Sequence, residues 1–184
     1  MNEKKERITK AAKELFSTYG FHKVSMDEIA KNSNTTKKTI YTYFKDKNEL
    51  INVVLMNEIN SMKKIANQID KKNISFEDKL HEVITMQLDY RKNSKILYNY
   101  LKEYEEGRFE NNKDNIFNKT ILSELKDRLD NTIKEGHIKK CDTKIVSFLI
   151  YKIYIALMVE LDYDIDKKEA TENIINILKI WLLK

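Results

Sequence analysis

The chain has 184 residues, of which 41% are hydrophobic and 34% charged, so it can bury a sizeable core and is too apolar to be a disordered polyelectrolyte. It contains no proline and three glycines, which excludes collagen-like and turn-dense β architectures and favours long helices. One cysteine excludes an intramolecular disulfide, and the N-terminal sequence MNEKKERITK lacks the apolar segment of a signal peptide. We therefore expect a cytoplasmic, all-α protein.

The formal net charge of +5 is concentrated in the first quarter of the chain. Residues 1–48 hold eleven Lys or Arg against six Asp or Glu, whereas residues 49–184 hold 23 of each. A basic N-terminal segment on a neutral body is typical of a protein that binds an anionic partner, most often nucleic acid. A basic surface that is merely solvated is the alternative interpretation of the charge alone.

The first predicted helix has apolar residues at the spacing of a single helix face: Ile8, Ala11, Ala12, Leu15, Phe16 and Tyr19. Gly20 is expected to end this helix in a left-handed backbone conformation. The second helix opens with the sequence SMDE, in which Ser25 and Glu28 can form a capping box. Only about seven residues follow before the sequence NSN interrupts, so this helix is short.

The third predicted helix is short and rich in cations and hydroxyl groups. Asn34 is expected to adopt a left-handed turn before it, and Thr36 to cap a helix that ends near Tyr43. Ile40 and Phe44 turn inward and share a small core with the second helix, which predicts a helix-turn-helix. The remaining side chains then lie on the outward and lateral surfaces: Lys37, Lys38, Thr39, Tyr41, Thr42 and Tyr43. Such a donor-rich helix suits the DNA major groove.

Further apolar periodicities predict helices over about 46–69, 76–90, 96–106, 116–135, 143–163 and 168–183, which makes about nine in all. The last two are apolar on nearly every side, so other segments of the chain and a second copy are expected to cover them. We predict a homodimer through these two helices, against the alternative of central helices wrapped by their own chain. The apolar run 145–161 contains Lys152 and Glu160 and falls short of the roughly 20 uncharged residues of a membrane span, so no membrane partner is expected.

The segment RITKAAKELFSTYGFHKVSMDEIAKNSNTTKKTIYTYFKDKNELI, residues 7–51, resembles the N-terminal DNA-binding domain of the TetR family of bacterial transcriptional regulators. The resemblance implies that Tyr41 and Lys47 contact DNA phosphates, that Ser25 and Thr36 do so at helix N-termini, and that the groove-facing side carries Lys37, Lys38, Thr39 and Tyr43. Lys38 departs from the family pattern, which has a small residue there, so its side chain could contact either base edges or a phosphate.

The resemblance further implies a helix-turn-helix DNA-binding domain over 1–48 and a helical effector-binding and dimerisation domain over 49–184. It implies a transcriptional regulator, most simply a repressor that a small hydrophobic ligand releases from a palindromic double-stranded operator. Two alternatives stay open: a helix-turn-helix interaction protein that docks an acidic partner, and a DNA-binding protein without a ligand. No catalytic motif is present, and neither a cofactor nor a metal is expected.

The effector pocket is predicted from aromatic and methionine side chains: Met62, Met86, Tyr90, Tyr104, Phe117, Tyr151 and Met158. Tyr98 and Tyr154 are further candidates, and ordinary core packing is the alternative for every one of them. Glu103, Glu105 and Glu106 could indicate a cationic ligand, or they could form a solvated charge run.

Overall fold

The computed structural model describes residues 3–109, 116–156, 159 and 166–182, without the side chains of residues 91–93 and 167. Over that part of the chain the protein is all-α, as the sequence predicts. The helices are α1 (Glu3–Tyr19), α2 (Met26–Asn32), α3 (Lys37–Tyr43), α4 (Lys47–Asp70), α5 (Phe76–Asn93), α6 (Lys95–Glu105), α7 (Ile116–Lys134), α8 (Thr143–Ile155) and α9 (Lys167–Leu182). None of these helices is long and apolar enough, over its described residues, to cross a membrane.

Local capping signals position the starts of the longer helices. The carboxylate of Asp46 accepts the backbone N–H of Glu49 at 2.8 Å at the start of α4, and the hydroxyl of Ser75 accepts that of Asp78 at 3.1 Å at the start of α5. Tyr19 departs from the prediction, because it is 60% exposed at the end of α1 although its spacing placed it on the apolar face. The expected end of α8 near residue 163 lies outside the described residues.

The described residues form two compact units. The first combines the described parts of Met1–Ser61 and Ser94–Phe117, and the second combines those of Met62–Asn93 and Asn118–Lys184. α6 therefore belongs to the same unit as the helix-turn-helix, although it follows α4 and α5 in the chain. The predicted boundary at residue 48 divides the DNA-binding segment from the effector-binding segment and is not a boundary between packing units. It stays a prediction.

An aromatic cluster joins α6 to the N-terminal helices inside the first unit. Phe16 stacks on Phe21 with ring centroids 4.7 Å apart. Tyr100 on α6 meets Phe21 edge to face at 5.6 Å and Phe117 at 4.8 Å. Such contacts add to the burial of apolar area, so α6 is packed firmly against the end of α1.

Candidate nucleic-acid interface

The start of α2 is fixed by a capping box, as the sequence predicts. The Ser25 hydroxyl accepts the backbone N–H of Glu28 at 3.2 Å, and the Glu28 carboxylate accepts the backbone N–H of Ser25 at 2.7 Å. The hydrogen bond from the Ser25 backbone, helped by the Ser25 hydroxyl, lowers the pKa of Glu28. Ser25 thus lies at a helix N-terminus, where the resemblance placed a phosphate contact, and its side chain is engaged with Glu28.

The turn between α2 and α3 is built by short backbone bonds. Asn34 has a φ of 49°, the predicted left-handed conformation, and the next amide, of Thr35, donates to the carbonyl of Ala30 at 2.9 Å. The buried Ser33 hydroxyl donates to the carbonyl of Ile29 at 2.7 Å, which satisfies a polar group inside the small core. This turn sets the direction in which α3 leaves α2.

Two buried side chains hold α3 against the first unit. Ile40 is 0% exposed and Phe44 1% exposed, and the Thr36 hydroxyl accepts the backbone N–H of Thr39 at 3.1 Å to cap the helix. Because only this inner edge is buried, the other side chains of α3 lie on its outer and lateral surfaces. Tyr41 is 47% exposed, Lys38 is exposed, and Thr39 and Tyr43 are half-buried. Seven residues of helix span about 10 Å, which fits a major groove about 12 Å wide.

Lys37, at the first position of α3, forms an ion pair with Asp27 of α2. The ammonium lies 2.8 Å from the carboxylate oxygen, and this hydrogen bond and charge raise the pKa of Lys37. Sequence reasoning missed Asp27. The pair could have been anticipated from the sequence, because Asp27 and Lys37 carry opposite charges in the first turns of two helices joined by a short turn.

Lys47, at the start of α4, is half-buried. Its ammonium donates to the carbonyl of His22 at 3.4 Å. Burial lowers the pKa of Lys47, and the charges of Glu103 and Glu28 act in the opposite direction. The cation is therefore held by the turn between α1 and α2.

Taken together, the described residues of α3 present cations, hydroxyls and phenols on a short, anchored helix. These groups can donate to phosphate oxygens and to base edges, whereas hydrolytic chemistry needs a nucleophile with an adjacent base. Among the described residues, no group of three or more His, Cys, Asp or Glu side chains could hold a metal ion. This arrangement is suited to binding DNA.

Residues 8–54, which comprise α2, α3, most of α1 and the start of α4, match the model of the tetR family of bacterial regulatory proteins. The HTH-type transcriptional regulator YhgD of Bacillus subtilis is 29% identical over 187 residues, which cover 99% of this chain and 96% of the relative. Residues 8–54 are therefore a DNA-binding domain of the TetR family. With a transcriptional regulator as the relative that spans nearly the whole chain, the protein is a DNA-binding transcriptional regulator and not an enzyme.

Solved structures of bacterial regulators share the fold over nearly the whole chain. The fatty acid degradation regulator FadR of Bacillus halodurans superposes with a TM-score of 0.73 at 20% identity, covering 97% of this chain and 95% of that one. FadR of Bacillus subtilis in complex with stearoyl-CoA superposes with a TM-score of 0.68 at 21% identity, covering 94% and 96%. At these identities the likeness establishes the fold alone.

The described members of the predicted effector set are distributed over both units. Phe117 is 1% exposed and packs on Tyr100, both in the first unit, and the Tyr151 hydroxyl in the second unit pairs with the Asn118 side-chain oxygen at 2.6 Å. Tyr104 lies in the first unit. The other described members are half-buried, Met62, Met86 and Tyr90, and Met158 lies outside the described residues.

The second unit contains a cavity of about 450 Å³, and none of the predicted effector residues lines it. Its walls are chiefly apolar and include Phe76, Leu80, Val83, Leu129, Ile150 and Leu178. At the edge, Arg128 pairs with Asp70 at 2.6 Å. The volume lies within the range of small-molecule sites.

Proposed function

We propose that this regulator is a repressor, active in the cytoplasm, that binds a pseudo-palindromic operator as a homodimer. A small hydrophobic ligand in residues 49–184 releases it from the DNA. The proposed DNA contacts are those implied by the family resemblance: Ser25, Thr36, Lys37, Lys38, Thr39, Tyr41, Tyr43 and Lys47. The exposed, donor-bearing side of α3 supports this assignment.

Exposed apolar side chains on the last two helices support the homodimer. On α8, Ile145, Phe148 and Leu149 are 56%, 49% and 39% exposed, and their spacing places them on one side of the helix. On α9, Ile180 is 76% and Trp181 54% exposed. Large apolar side chains grouped in this way indicate a protein interface, and a second copy of the same helices offers an equally apolar surface.

The observation that carries the ligand part of the proposal is the hydroxyl group of Tyr154 on α8. This oxygen is buried and has no hydrogen-bond partner among the described residues. Burial raises the pKa of Tyr154, because the phenolate would be poorly solvated there. A buried hydroxyl without a partner costs about 1–3 kcal/mol, and an apolar ligand with an acceptor oxygen would recover that free energy.

The effector residues predicted from the sequence remain part of this proposal: Met62, Met86, Tyr90, Tyr104, Phe117, Tyr151 and Met158. Tyr154 joins them as the residue with a specific polar role. The complex of Bacillus subtilis FadR with stearoyl-CoA supports an apolar acyl ligand as the first class to test.

Release would follow from a population shift. α4 begins beside the helix-turn-helix and runs for 24 residues, from the first unit into the second. A ligand that favours one position of α4 would change the spacing of the two recognition helices in a dimer, and affinity for an operator with fixed half-site spacing would fall. A ligand that binds both positions equally would release nothing.

The decisive experiment measures release by stearoyl-CoA from a duplex that the wild-type chain selects out of a randomised pool. In Tyr154→Phe we expect unchanged or slightly higher stability, unchanged DNA affinity, and about tenfold more ligand needed for release, because one hydrogen bond is lost. Tyr19→Phe, at a 60% exposed tyrosine, is the control and should behave as wild type.

Three outcomes would count against parts of the proposal. Release that is normal in Tyr154→Phe but lost in Val83→Trp, which fills the 450 Å³ cavity, would move the ligand to that cavity. Operator binding that responds to no acyl ligand would favour a ligand-independent DNA-binding protein. Binding without sequence preference, with a salt dependence unchanged by Lys37→Ala and Lys38→Ala, would favour the interaction protein.

A further inference from the structure

A glutamate of α6 holds the turn between α1 and α2 by its backbone. One carboxylate oxygen of Glu103 accepts the N–H of Phe21 at 2.8 Å, and the other accepts the N–H of His22, also at 2.8 Å. The turn and the glutamate are more than eighty residues apart in the chain. Hydrogen bonds to a charged acceptor are about twice as strong as neutral ones, so this is a firm attachment.

Asn99 makes the matching attachment one helical turn earlier on α6. Its side-chain amide donates to the carbonyls of Phe16 at 2.9 Å and Ser17 at 3.0 Å, in the last turn of α1. Carbonyls at a helix end lack intrahelical donors, and the amides that follow the end lack acceptors. The Phe16 carbonyl also accepts the backbone N–H of Gly20 at 3.0 Å, so Asn99 adds a second donor there. Because Asn99 and Glu103 are four residues apart on α6, they lie on one face, from which Asn99 donates to carbonyls and Glu103 accepts from amides.

The contact between Glu103 and the turn requires a glycine at position 20. Its φ of +84° is the left-handed conformation, and a Cβ atom at this position would collide with the Glu103 carboxylate oxygen. A glycine here therefore does two things, since it ends α1 and leaves room for the carboxylate.

The same turn holds Lys47, one of the proposed phosphate contacts. The Lys47 ammonium donates to the carbonyl of His22, the residue whose N–H is bonded to Glu103. A displacement of the turn would therefore move the start of α4 and the cation together.

Both carboxylate oxygens of Glu103 are engaged with backbone N–H groups. This occupancy argues against the sequence-based suggestion that Glu103 recognises a cationic ligand. The other glutamates of that suggestion have different surroundings, because Glu106 pairs with Arg108 at 2.6 Å and Glu105 is exposed.

We propose that Glu103 is a positioning residue for DNA binding. With Asn99 it clamps α6 to the turn between α1 and α2, and so fixes the start of α2 and Lys47 relative to the duplex. α6 then becomes a second element, besides α4, through which residues beyond the helix-turn-helix control operator affinity. The inference rests on the DNA-binding function and is independent of any ligand.

The proposal can be tested by whether Glu103→Gln raises or lowers the affinity for DNA. Glu103→Gln removes a negative charge from the DNA-binding unit, so electrostatics alone predicts tighter binding to DNA. The clamp predicts the opposite, because a glutamine NH₂ group faces one of the two N–H donors. We expect about tenfold weaker binding to the selected duplex. Glu105→Gln, the same charge change two residues away, should bind as wild type or slightly more tightly.

A charge-conserving variant and an amide-level measurement complete the test. Glu103→Asp keeps the charge but is one methylene too short to span both amides, so it should also bind more weakly. Hydrogen exchange at the amides of Phe21 and His22 should accelerate in both Glu103 variants and not in Glu105→Gln. Circular dichroism identifies variants that remain folded.

A double-mutant cycle with Gly20 isolates the contact. Gly20→Ala carries backbone strain in any background, but the collision with the carboxylate exists only when Glu103 is present. Its cost to DNA affinity should therefore be smaller in Glu103→Ala than in wild type. Equal affinities of folded Glu103→Gln and Glu105→Gln for the selected duplex would overturn the proposal. Failure of wild type to select any duplex would instead refute the regulator function itself.

Discussion

The two compact units differ in how completely they bury their own apolar side chains. Among the described residues, the largest side chains that are less than 2% exposed all belong to the first unit, including Phe16, Phe44 and Leu101. The core cluster of the second unit is 3–9% exposed, and α8 and α9 leave Phe148 and Ile180 largely open. The first unit completes its core within one chain, whereas the second leaves apolar surface uncovered.

This difference matches the demands of the two proposed roles. A surface that reads DNA needs side chains held in fixed positions by a finished core. A region that meets a second copy and admits a ligand must keep apolar surface available for both. The incomplete core of the second unit is then what its proposed roles require.

The largest expected effect is a difference between matched leucines in the two cores. Leu101→Ala removes a fully buried side chain of the first unit and should lower the free energy of unfolding by about 4 kcal/mol. Leu178→Ala should cost only about 2 kcal/mol, because this side chain is 9% exposed and lines the cavity. Urea denaturation followed by circular dichroism measures both, and equal costs would remove the contrast between the cores.

The next effect concerns the exposed apolar side chains of the second unit. Phe148→Glu combined with Ile180→Glu should weaken self-association at least about 100-fold, or roughly 3 kcal/mol, because charges would enter an apolar interface. Ile65→Glu, at a 40% exposed isoleucine on α4, is the control and should leave association unchanged. Sedimentation equilibrium decides, and a wild-type monomer at micromolar concentration would contradict the dimer.

A smaller effect is expected on DNA affinity when one lysine of each unit is replaced by alanine. Lys38→Ala should weaken DNA binding by about 1 kcal/mol and reduce the slope of affinity against salt by about one, as expected for a lost phosphate contact. Lys64→Ala removes the same charge from the second unit and should change neither quantity. A change in base preference in Lys38→Ala would instead assign Lys38 to a base edge.

The smallest effect separates two surface carboxylates by their response to acid. A backbone hydrogen bond from Ser25 lowers the pKa of Glu28 below its ordinary 4.5, and a hydrogen bond from Lys126 lowers that of Asp130 below 3.8. Both contributions to stability are present above these ordinary values and are lost as the pH falls through the lowered pKa. In thermal denaturation against pH, Glu28→Gln should reduce the acid sensitivity at any salt concentration. Asp130→Asn should do so more strongly at low salt than at high salt, because salt screens the exposed ion pair with Lys126 but leaves the hydrogen bond from Thr143.

Features governed by neighbours in the chain could be predicted from the sequence. The Ser25–Glu28 capping box and the left-handed Asn34 are confirmed, because both depend on residues within one helical turn. The inward positions of Ile40, in α3, and Phe44, at its C-cap, are confirmed as well, because both depend on residues close in the chain. The helix-turn-helix was therefore accessible without a structure.

Features that depend on distant segments could not be predicted. Glu103, Glu105 and Glu106 look equivalent in the sequence, and only the packing of α6 against α1 singles out Glu103 as the partner of two backbone amides. The Tyr154 hydroxyl, which has no hydrogen-bond partner among the described residues, likewise cannot be identified until its surroundings are known. Spacing identifies which face of a helix is apolar but not which side chain across the molecule it meets.

The ion pair between Lys37 and Asp27 bears on how the regulator searches for its operator. If Lys37 contacts DNA, it must first break its ion pair with Asp27 before it can pair with a phosphate. This exchange of partners gains little binding free energy on random DNA, so complexes with random DNA should be short-lived. On the operator, the other groups of α3 also find partners, and the total binding free energy is larger. We therefore expect Asp27→Asn, which frees the Lys37 cation, to raise the affinity for non-specific DNA and to slow association with the operator.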